Sequence, residues 1–403
     1  MKSFFIAFFV LASLAMFARA EAQTLGSCQI FPSNNPWNTR VDTLPVHWNS
    51  DVFIAHVGIG THVHPDFGSD TDYGIPWEAV NKSQPFVSIN TSNGYQDQSD
   101  PGPMPIPPNA EIEHDGDSHV LVVDTSNHYL YELYQGVKDQ NDNNWSATST
   151  AIFALDSNNY RPDGWTSCDA AGLPIFPGLV RLDECKAGAI NHALRFTVNT
   201  TQKGWIFPAR HEAGSTSDTT YMPMGLRMRL KASFDDSKYT GYAKVILTAL
   251  KKYGIILADN GSNMYISGEW NPNWPDDDIG QLKNLVDTNF EVVYSGPVET
   301  YAGEYPTPVI PIPGSASVSV TPSQSFNFSV YPNPASGLVT VSVSDAVGPS
   351  QIEITDQLGR SVFRQTIQSA NETLDLSGLP NGAYFARLIS ASCSAEQRII
   401  WAH

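Results

Sequence analysis

The stretch His119-Val120-Leu121-Val122-Val123-Asp124-Thr125-Ser126-Asn127-His128-Tyr129-Leu130-Tyr131-Glu132-Leu133-Tyr134 decides the fold class of this chain. It holds two runs rich in valine, leucine and tyrosine, with Ser126 and Asn127 at the turn between them. β-branched and aromatic side chains suit a pleated, half-buried surface, so each run reads as a strand. A hairpin closing at this turn pairs Asp124 with Tyr129 and His119 with Tyr134. Side chains alternate along a strand. One face therefore carries His119, Leu121, Val123, Leu130, Glu132 and Tyr134, and the other Val120, Val122, Asp124, Tyr129, Tyr131 and Leu133. The first face sets a histidine, a glutamate and a tyrosine among apolar neighbours, which is how a sheet floors a polar cleft.

Outward from the hairpin the pattern stays mainly β. Asn191 to Val198 alternates, with His192, Leu194, Phe196 and Val198 opposite Arg195 and Thr197. Gly204 to Phe207 continues as a strand. Leu226 to Lys231 sets Leu226, Met228 and Leu230 against Arg227, Arg229 and Lys231, the one basic stripe in an acidic region. Ile255 to Ala258 and Met264 to Ser267 read as strands joined through Asp259-Asn260-Gly261. Two helices interrupt them. Thr240 to Tyr253 places Ala243, Ile246, Leu247 and Leu250 at helical spacing, with Gly254 suited to the residue after the helix. Asp277 to Leu285 is the second, with acids where the helix dipole is positive. Proline-dense loops such as Asp100 to Pro108 fix extended backbone. The fold expected for residues 23–300 is a β-sandwich or jelly roll with two helices; no repeat period suggests a solenoid.

The two ends differ from this body. Lys2, an apolar run from Phe4 to Phe17 and the small residues Ala18 and Ala20 form an export signal over residues 1–20. The run is too short to span a bilayer, and no later stretch approaches the length required. Leu25-Gly26-Ser27-Cys28 looks like a lipoprotein box, but Arg19 and Glu21 separate it from the apolar run, which argues against lipidation. Residues 301–325 are rich in proline and serine and read as a semi-rigid linker. Beyond it come short alternating strands: Thr340 to Ser344, Gln351 to Thr355 and Ala383 to Leu388. Turn dipeptides, Leu358-Gly359 and Asn381-Gly382, separate strands of this kind, which suits a small immunoglobulin-like β-sandwich over 326–403.

Three ordered motifs in this tail carry a resemblance. Val330-Tyr331-Pro332-Asn333-Pro334, Ile354-Thr355-Asp356-Gln357-Leu358-Gly359-Arg360 and Leu374-Asp375-Leu376-Ser377-Gly378-Leu379-Pro380-Asn381-Gly382-Ala383-Tyr384 closely resemble the C-terminal sorting domain of the type IX secretion system of Bacteroidota. The ending Arg398-Ile399-Ile400-Trp401-Ala402-His403 departs from the lysine-rich last strand usual there. The resemblance implies passage through the periplasm, handling by the type IX machinery, and release or surface anchoring once the tail is cut. The body is similar to a group of uncharacterised secreted bacterial proteins, through Asp100-Pro101-Gly102-Pro103-Met104-Pro105-Ile106-Pro107, Ala171 to Arg181 with Asp183-Glu184, and Leu257 to Ser262. It transfers no activity.

Composition narrows the function classes. Lys and Arg number 23 against 41 Asp and Glu, a net charge of −18 over 403 residues. The tail from residue 330 has six acids and four bases and the leader two bases, so the whole imbalance belongs to residues 21–329. Phosphates need a cationic face, so nucleic acid is excluded as a partner. Such acidity keeps an exported protein soluble and weighs against a polyanionic substrate.

An exported chain of this kind suggests an enzyme acting on an extracellular polysaccharide. Glycoside hydrolysis uses two carboxyls in contrasting environments. Glu132 is the leading candidate, with Asp183 and Glu184 as the source of a partner and His119, His192 and Tyr134 beside them. A polysaccharide lyase, with a histidine or tyrosine base, is the second reading; a carbohydrate-binding or surface protein without catalysis is the third. Arg195, His211, Trp270 and Trp274 are candidate substrate contacts, and Trp48, Trp77, Trp145, Trp165 and Trp205 are further rings able to stack on sugars. No cofactor is required. His62, His64 and Asp66 alternate as weak donors for calcium or another divalent metal, without a recognised spacing. Asp276-Asp277-Asp278 suits a helix cap better than a calcium site. Four cysteines in an exported chain favour disulfides, with Cys168 and Cys185 as the expected pair; Cys28 and Cys393 either join the chain ends or stay free.

Overall fold

The computed structural model describes residues 22–91, 95–114, 116–139 and 143–300, and in the tail 328–333, 335, 337–343, 350–356, 361–367, 369, 371–379, 382–389 and 394–401. The export signal, the 301–325 linker and Cys393 lie outside the described residues. The chain is mainly β. Ten strands form the two larger sheets of the body: β1 (His64–Asp66), β2 (Trp77–Val80), β3 (Val120–Asp124), β4 (Tyr129–Tyr134), β5 (Ser149–Ala154), β6 (Leu194–Val198), β7 (Arg227–Leu230), β8 (Ile255–Asn260), β9 (Tyr265–Ser267) and β10 (Phe290–Val293).

The hairpin closes in the register its alternation predicts, with Asp124 opposite Tyr129 and Val120 opposite Leu133. It is the centre of a four-stranded sheet in the order β5-β4-β3-β2. Its two faces enter different cores. Leu121, Val123 and Leu130 join the main core, while Val120, Val122, Tyr131 and Leu133 pack with Met104, Ile106 and Trp145 in a second one. The six-stranded sheet has the order β10-β7-β8-β6-β9-β1. Parallel pairs occur in both sheets: β2 with β3, β6 with β8, and β9 with β1. β8 and β9 do not pair with each other, although Asp259-Asn260-Gly261 joins them; β6 lies between, parallel to β8 and antiparallel to β9.

Four helices are present among the described residues: α1 (Ser50–Val57), α2 (Leu182–Ala187), α3 (Gly241–Lys252) and α4 (Asp276–Ile279). α3 is the expected amphipathic helix and buries Ala243, Ile246, Leu247, Ala249 and Leu250. Gly254 follows it at φ 69°, where Met228 O leaves no space for a Cβ. Asp278 caps α3 from outside, accepting from the amides of Tyr242 (2.7 Å) and Ala243 (3.4 Å). The expected Asp277–Leu285 helix is α only to Ile279 and tightens to a 3-10 form over Gly280–Asn284, entering with a glycine. α1 and α2 were hidden by their shortness. α2 takes in Asp183 and Glu184 and ends on Gly188 in the left-handed region.

The basic stripe of β7 is buried at its two arginines: Arg227 donates to Tyr253 O and Thr39 O, and Arg229 pairs with Glu291 at 2.7 Å. Burial alone pulls Arg227 down to about 9. No disulfide links Cys168 to Cys185. Both are buried free thiols, as is Cys28, with Cys168 turned toward Ser149 O and Cys185 held in α2.

In the tail, strands Phe328–Tyr331, Leu338–Val343 and Asn371–Asp375 form one antiparallel sheet. Ser350–Asp356, Ser361–Ile367, Gly382–Ile389 and Ser394–Trp401 form another. Val339, Val341, Ile352, Ile354, Leu374 and Leu388 fill a separate core between them. No helix among the described residues is long and apolar enough to cross a membrane.

Candidate active site

Three neighbouring strands of the six-stranded sheet and one loop bring a charged cluster together. Arg195 stands on β6, Asp259 near the carboxyl end of β8, and Ser267 at the end of β9. Asp169 comes from the loop before Gly172. The Arg195 guanidinium donates two parallel hydrogen bonds to Asp169, Nε to Oδ2 and Nη2 to Oδ1, both 2.9 Å, and its Nη1 donates to Ser267 Oγ. This fork fixes both side chains. Arg195 and Asp169 are buried. Asp259 is the open member: Oδ2 lies 3.9 Å from Arg195 Nη2, and a quarter of the side-chain surface faces solvent. Burial, then the neighbouring Asp169 carboxylate, push its carboxyl up to about 7 against the pull of Arg195. A proton at Asp259 is therefore gained and lost near neutrality.

The hairpin residues surround this cluster. His119 Nδ1 donates to Glu113 Oε2 at 2.5 Å and Nε2 donates to Cys168 O at 3.0 Å. Both partners are acceptors, so the ring carries two protons. Burial opposes that charge, but the Glu113 hydrogen bond and charge outweigh it and raise the ring to about 9. His119 is thus a buried cation that ties β3 to the 168 loop, not a free base. Glu132 is fully buried. Its Oε1 accepts from the amides of Ile175 (2.8 Å) and Phe176 (3.1 Å), while Oε2 has no hydrogen-bond partner. Burial raises its carboxyl to about 8 against those two amides. Acid catalysis needs such a shift, but no polymer reaches this carboxyl. Tyr134 is half-buried, with its ring centroid 5.6 Å from that of His119, and burial followed by Asp117 and Asp259 raises its phenol. His211 donates from Nδ1 to Ala170 O at 2.8 Å, beside Asp169. That bond leaves Nε2 as an acceptor, and burial lowers the ring against the pull of Ala170 O.

The remaining candidates lie apart. His192 precedes β6 and bonds through Nε2 to Glu184 at 3.0 Å, and Arg181 bridges Asp183 (3.1 Å) and Glu184 (3.2 Å). Asp183, Glu184 and His192 form an ion-pair group with Arg181, while Glu132 and His119 bond to other partners. Arg195 is committed to Asp169 and Ser267, so it offers no free cation to a uronate. Trp274 is buried with Nε1 donating to Glu269 O, and Trp270 is half-buried, so the two are no exposed stacking pair. Trp145, Trp165 and Trp205 are buried too. His62, His64 and Asp66 do not converge: His62 bonds Lys283 O at 2.7 Å, and His64 stacks on Tyr265 at 4.2 Å. Among the described residues no group of three or more His, Cys, Asp and Glu is placed to hold a metal.

Asp169 and Asp259 were not among the candidates read from the sequence. The second carried a signal: an acid ending the apolar run Ile255-Ile256-Leu257-Ala258 stands at the carboxyl end of a buried parallel strand, where open sheets place their chemistry.

A family model of the secretion system C-terminal sorting domain matches residues 329–402. These residues are the type IX sorting domain that the motifs suggested, and the chain is secreted or held at the cell surface of a member of the Bacteroidota, its tail removed. No curated protein matches the chain. Among solved structures, a DUF3244 family protein of Bacteroides vulgatus with an immunoglobulin-like β-sandwich fold is similar at 22% identity, over 18% of this chain and 81% of that one, with a TM-score of 0.17. PorZ, a surface component of the type IX secretion system of Porphyromonas gingivalis, is similar at 22% identity, over 19% of this chain and 11% of that one, with a TM-score of 0.16.

Proposed function

We propose that residues 23–300, carried out of the cell by the 329–402 sorting domain, are an extracellular polysaccharide-degrading enzyme, a glycoside hydrolase with Asp259 as its acid/base. The observation behind this is the Asp259 carboxyl: open to solvent, lifted to about 7, and set beside Asp169, which Arg195 holds still. Protonated, Asp259 delivers a proton to the glycosidic oxygen as its bond to the anomeric carbon breaks; deprotonated, it takes a proton from the water whose oxygen bonds that carbon, which restores the acid. Asp169 keeps negative charge beside it and thereby keeps its proton affinity high. His211 Nε2 is assigned a hydrogen bond to a sugar hydroxyl in this reading. Glu132 and His119 hold the loop that carries Asp169.

Electrostatics favours hydrolysis of a neutral polymer over lyase chemistry on a uronate. Glu113, Asp117, Asp169 and Asp259 outnumber Arg195 and His119, and both cations are already paired. Digestion of a panel of neutral and anionic polysaccharides tests the proposal. New reducing ends from a neutral polymer, without unsaturated products, support it. Unsaturated products, or binding with no new ends from any polymer, refute it.

A further inference from the structure

Trp48 is the most exposed tryptophan among the described residues, with 75% of its surface in solvent. Leaving so large an apolar ring in water has a free-energy cost, and the fold covers only a quarter of it. It does not stand alone. His47 stacks on it at 4.0 Å with 28° between planes, and Tyr294 lies 5.3 Å from Trp48 at 36° and 5.9 Å from His47 at 32°. The three rings stack into one aromatic strip, with His47 on one face of Trp48. Its backbone is held on the sheet: His47 N–H donates to Val292 O (2.8 Å), Tyr294 N–H donates to Pro45 O (3.0 Å), and Val46 bridges Val293. His47 Nδ1 accepts from the Asn49 amide at 3.0 Å, and burial lowers the ring, so the strip is uncharged.

We infer that the Trp48–His47–Tyr294 strip is a second binding site, taking the sugar rings of a neutral polysaccharide. This rests on the reading of the chain as a polysaccharide-acting enzyme, and it adds where the polymer is held. Sugar rings present C–H groups on their flat faces, which suit the negative face of an aromatic ring. The segments around the strip, Val46 to Asp51 and Tyr294 to Glu299, hold Asn49, Asp51 and Glu299 to pair with hydroxyls and no Lys or Arg to draw phosphate or a uronate. The position makes it a separate site. Across β7, Val292 and Val293 are level with Ile255 and Ile256 at the start of β8, and His47 bonds Val292, whereas Asp259 is near the far end of β8. The strip therefore holds the polymer away from the acid/base.

The test uses the full chain and its Trp48→Ala and Trp48→Phe variants. Each is incubated with insoluble cellulose, xylan, mannan or chitin, and the protein left in solution is measured. Trp48 is exposed, so folding is expected to survive, and circular dichroism checks it. Wild type binds at least one neutral polymer. Trp48→Ala weakens that binding roughly ten-fold or more, as loss of a tryptophan anchor does, and Trp48→Phe keeps part of it. Turnover of a short soluble oligosaccharide stays unchanged in both. Equal binding by Trp48→Ala, or no binding by wild type to any neutral polymer, overturns the inference. So does a dimer that Trp48→Ala turns into monomers, since the strip then belongs to a second copy. Binding is scored without turnover, so failure of the hydrolase reading and failure of the strip are seen separately.

Discussion

Replacing Glu132 by glutamine gives a stability effect whose size follows from the structure. Glu132 is fully buried, and its carboxyl sits at about 8 against an ordinary 4.5. A group raised on folding contributes stability that is fully present below its unfolded value and lost as pH rises through its folded value. The window here runs from about 4.5 to about 8. At about 1.4 kcal/mol per pH unit the full effect is ~5 kcal/mol, most of which disappears between pH 5 and pH 8. His119 also loses stabilisation as pH rises, between its ordinary 6.5 and about 9, so the wild-type curve alone does not isolate Glu132. The difference between wild type and Glu132→Gln does. Glutamine still offers an oxygen to the amides of Ile175 and Phe176. Its amide nitrogen falls where Oε2 has no partner, a penalty that pH does not change. Urea unfolding at pH 5, 6, 7 and 8 is the assay. The variant should gain on wild type by about 3 kcal/mol from pH 5 to pH 8. A difference that stays level within ~1 kcal/mol refutes the account of a buried, neutral Glu132.

Three further outcomes are expected. Arg195→Met leaves Asp169 buried without its fork and should cost about 3–5 kcal/mol in chemical denaturation; a loss below ~1 kcal/mol contradicts the buried pair. Reductant should leave the melting temperature unchanged, because Cys28, Cys168 and Cys185 are free, and their alkylation should require unfolding; a fall of several degrees would instead match the ~2–4 kcal/mol of a lost disulfide. Deleting residues 326–403 should leave the body inside the cell envelope, seen by fractionation, and its continued appearance in the medium would contradict the role of the tail.

The hairpin was legible because alternation is a local property. Its register and the division of its faces follow from the order of side chains, and so do the buried face of α3 and Gly254 behind it. The site was legible in part. Glu132, His119 and Tyr134 do face the charged cluster, as the alternation placed them. What alternation does not report is depth: a strand covered on both faces turns a glutamate on the cleft side into a sealed one. Asp169 and Arg195 meet across 26 positions of sequence, and Asp259 reaches them only because α3 returns the chain to lay β8 parallel to β6. Such pairings depend on the crossover and leave no mark in local spacing. The cysteines failed as a guide because compartment favours a disulfide without bringing two sulfurs together.

The central claim, that Asp259 is the acid/base of an extracellular glycoside hydrolase, is tested most directly by reducing-end release against pH for wild type and Asp259→Asn. Wild-type kcat/KM should fall as pH rises above about 7, where Asp259 loses its proton. Asp259→Asn should remain folded, lose about 10²–10⁴-fold in rate, and no longer show that fall. An Asp259→Asn protein that releases reducing ends at the wild-type rate, with the same pH profile, contradicts the claim.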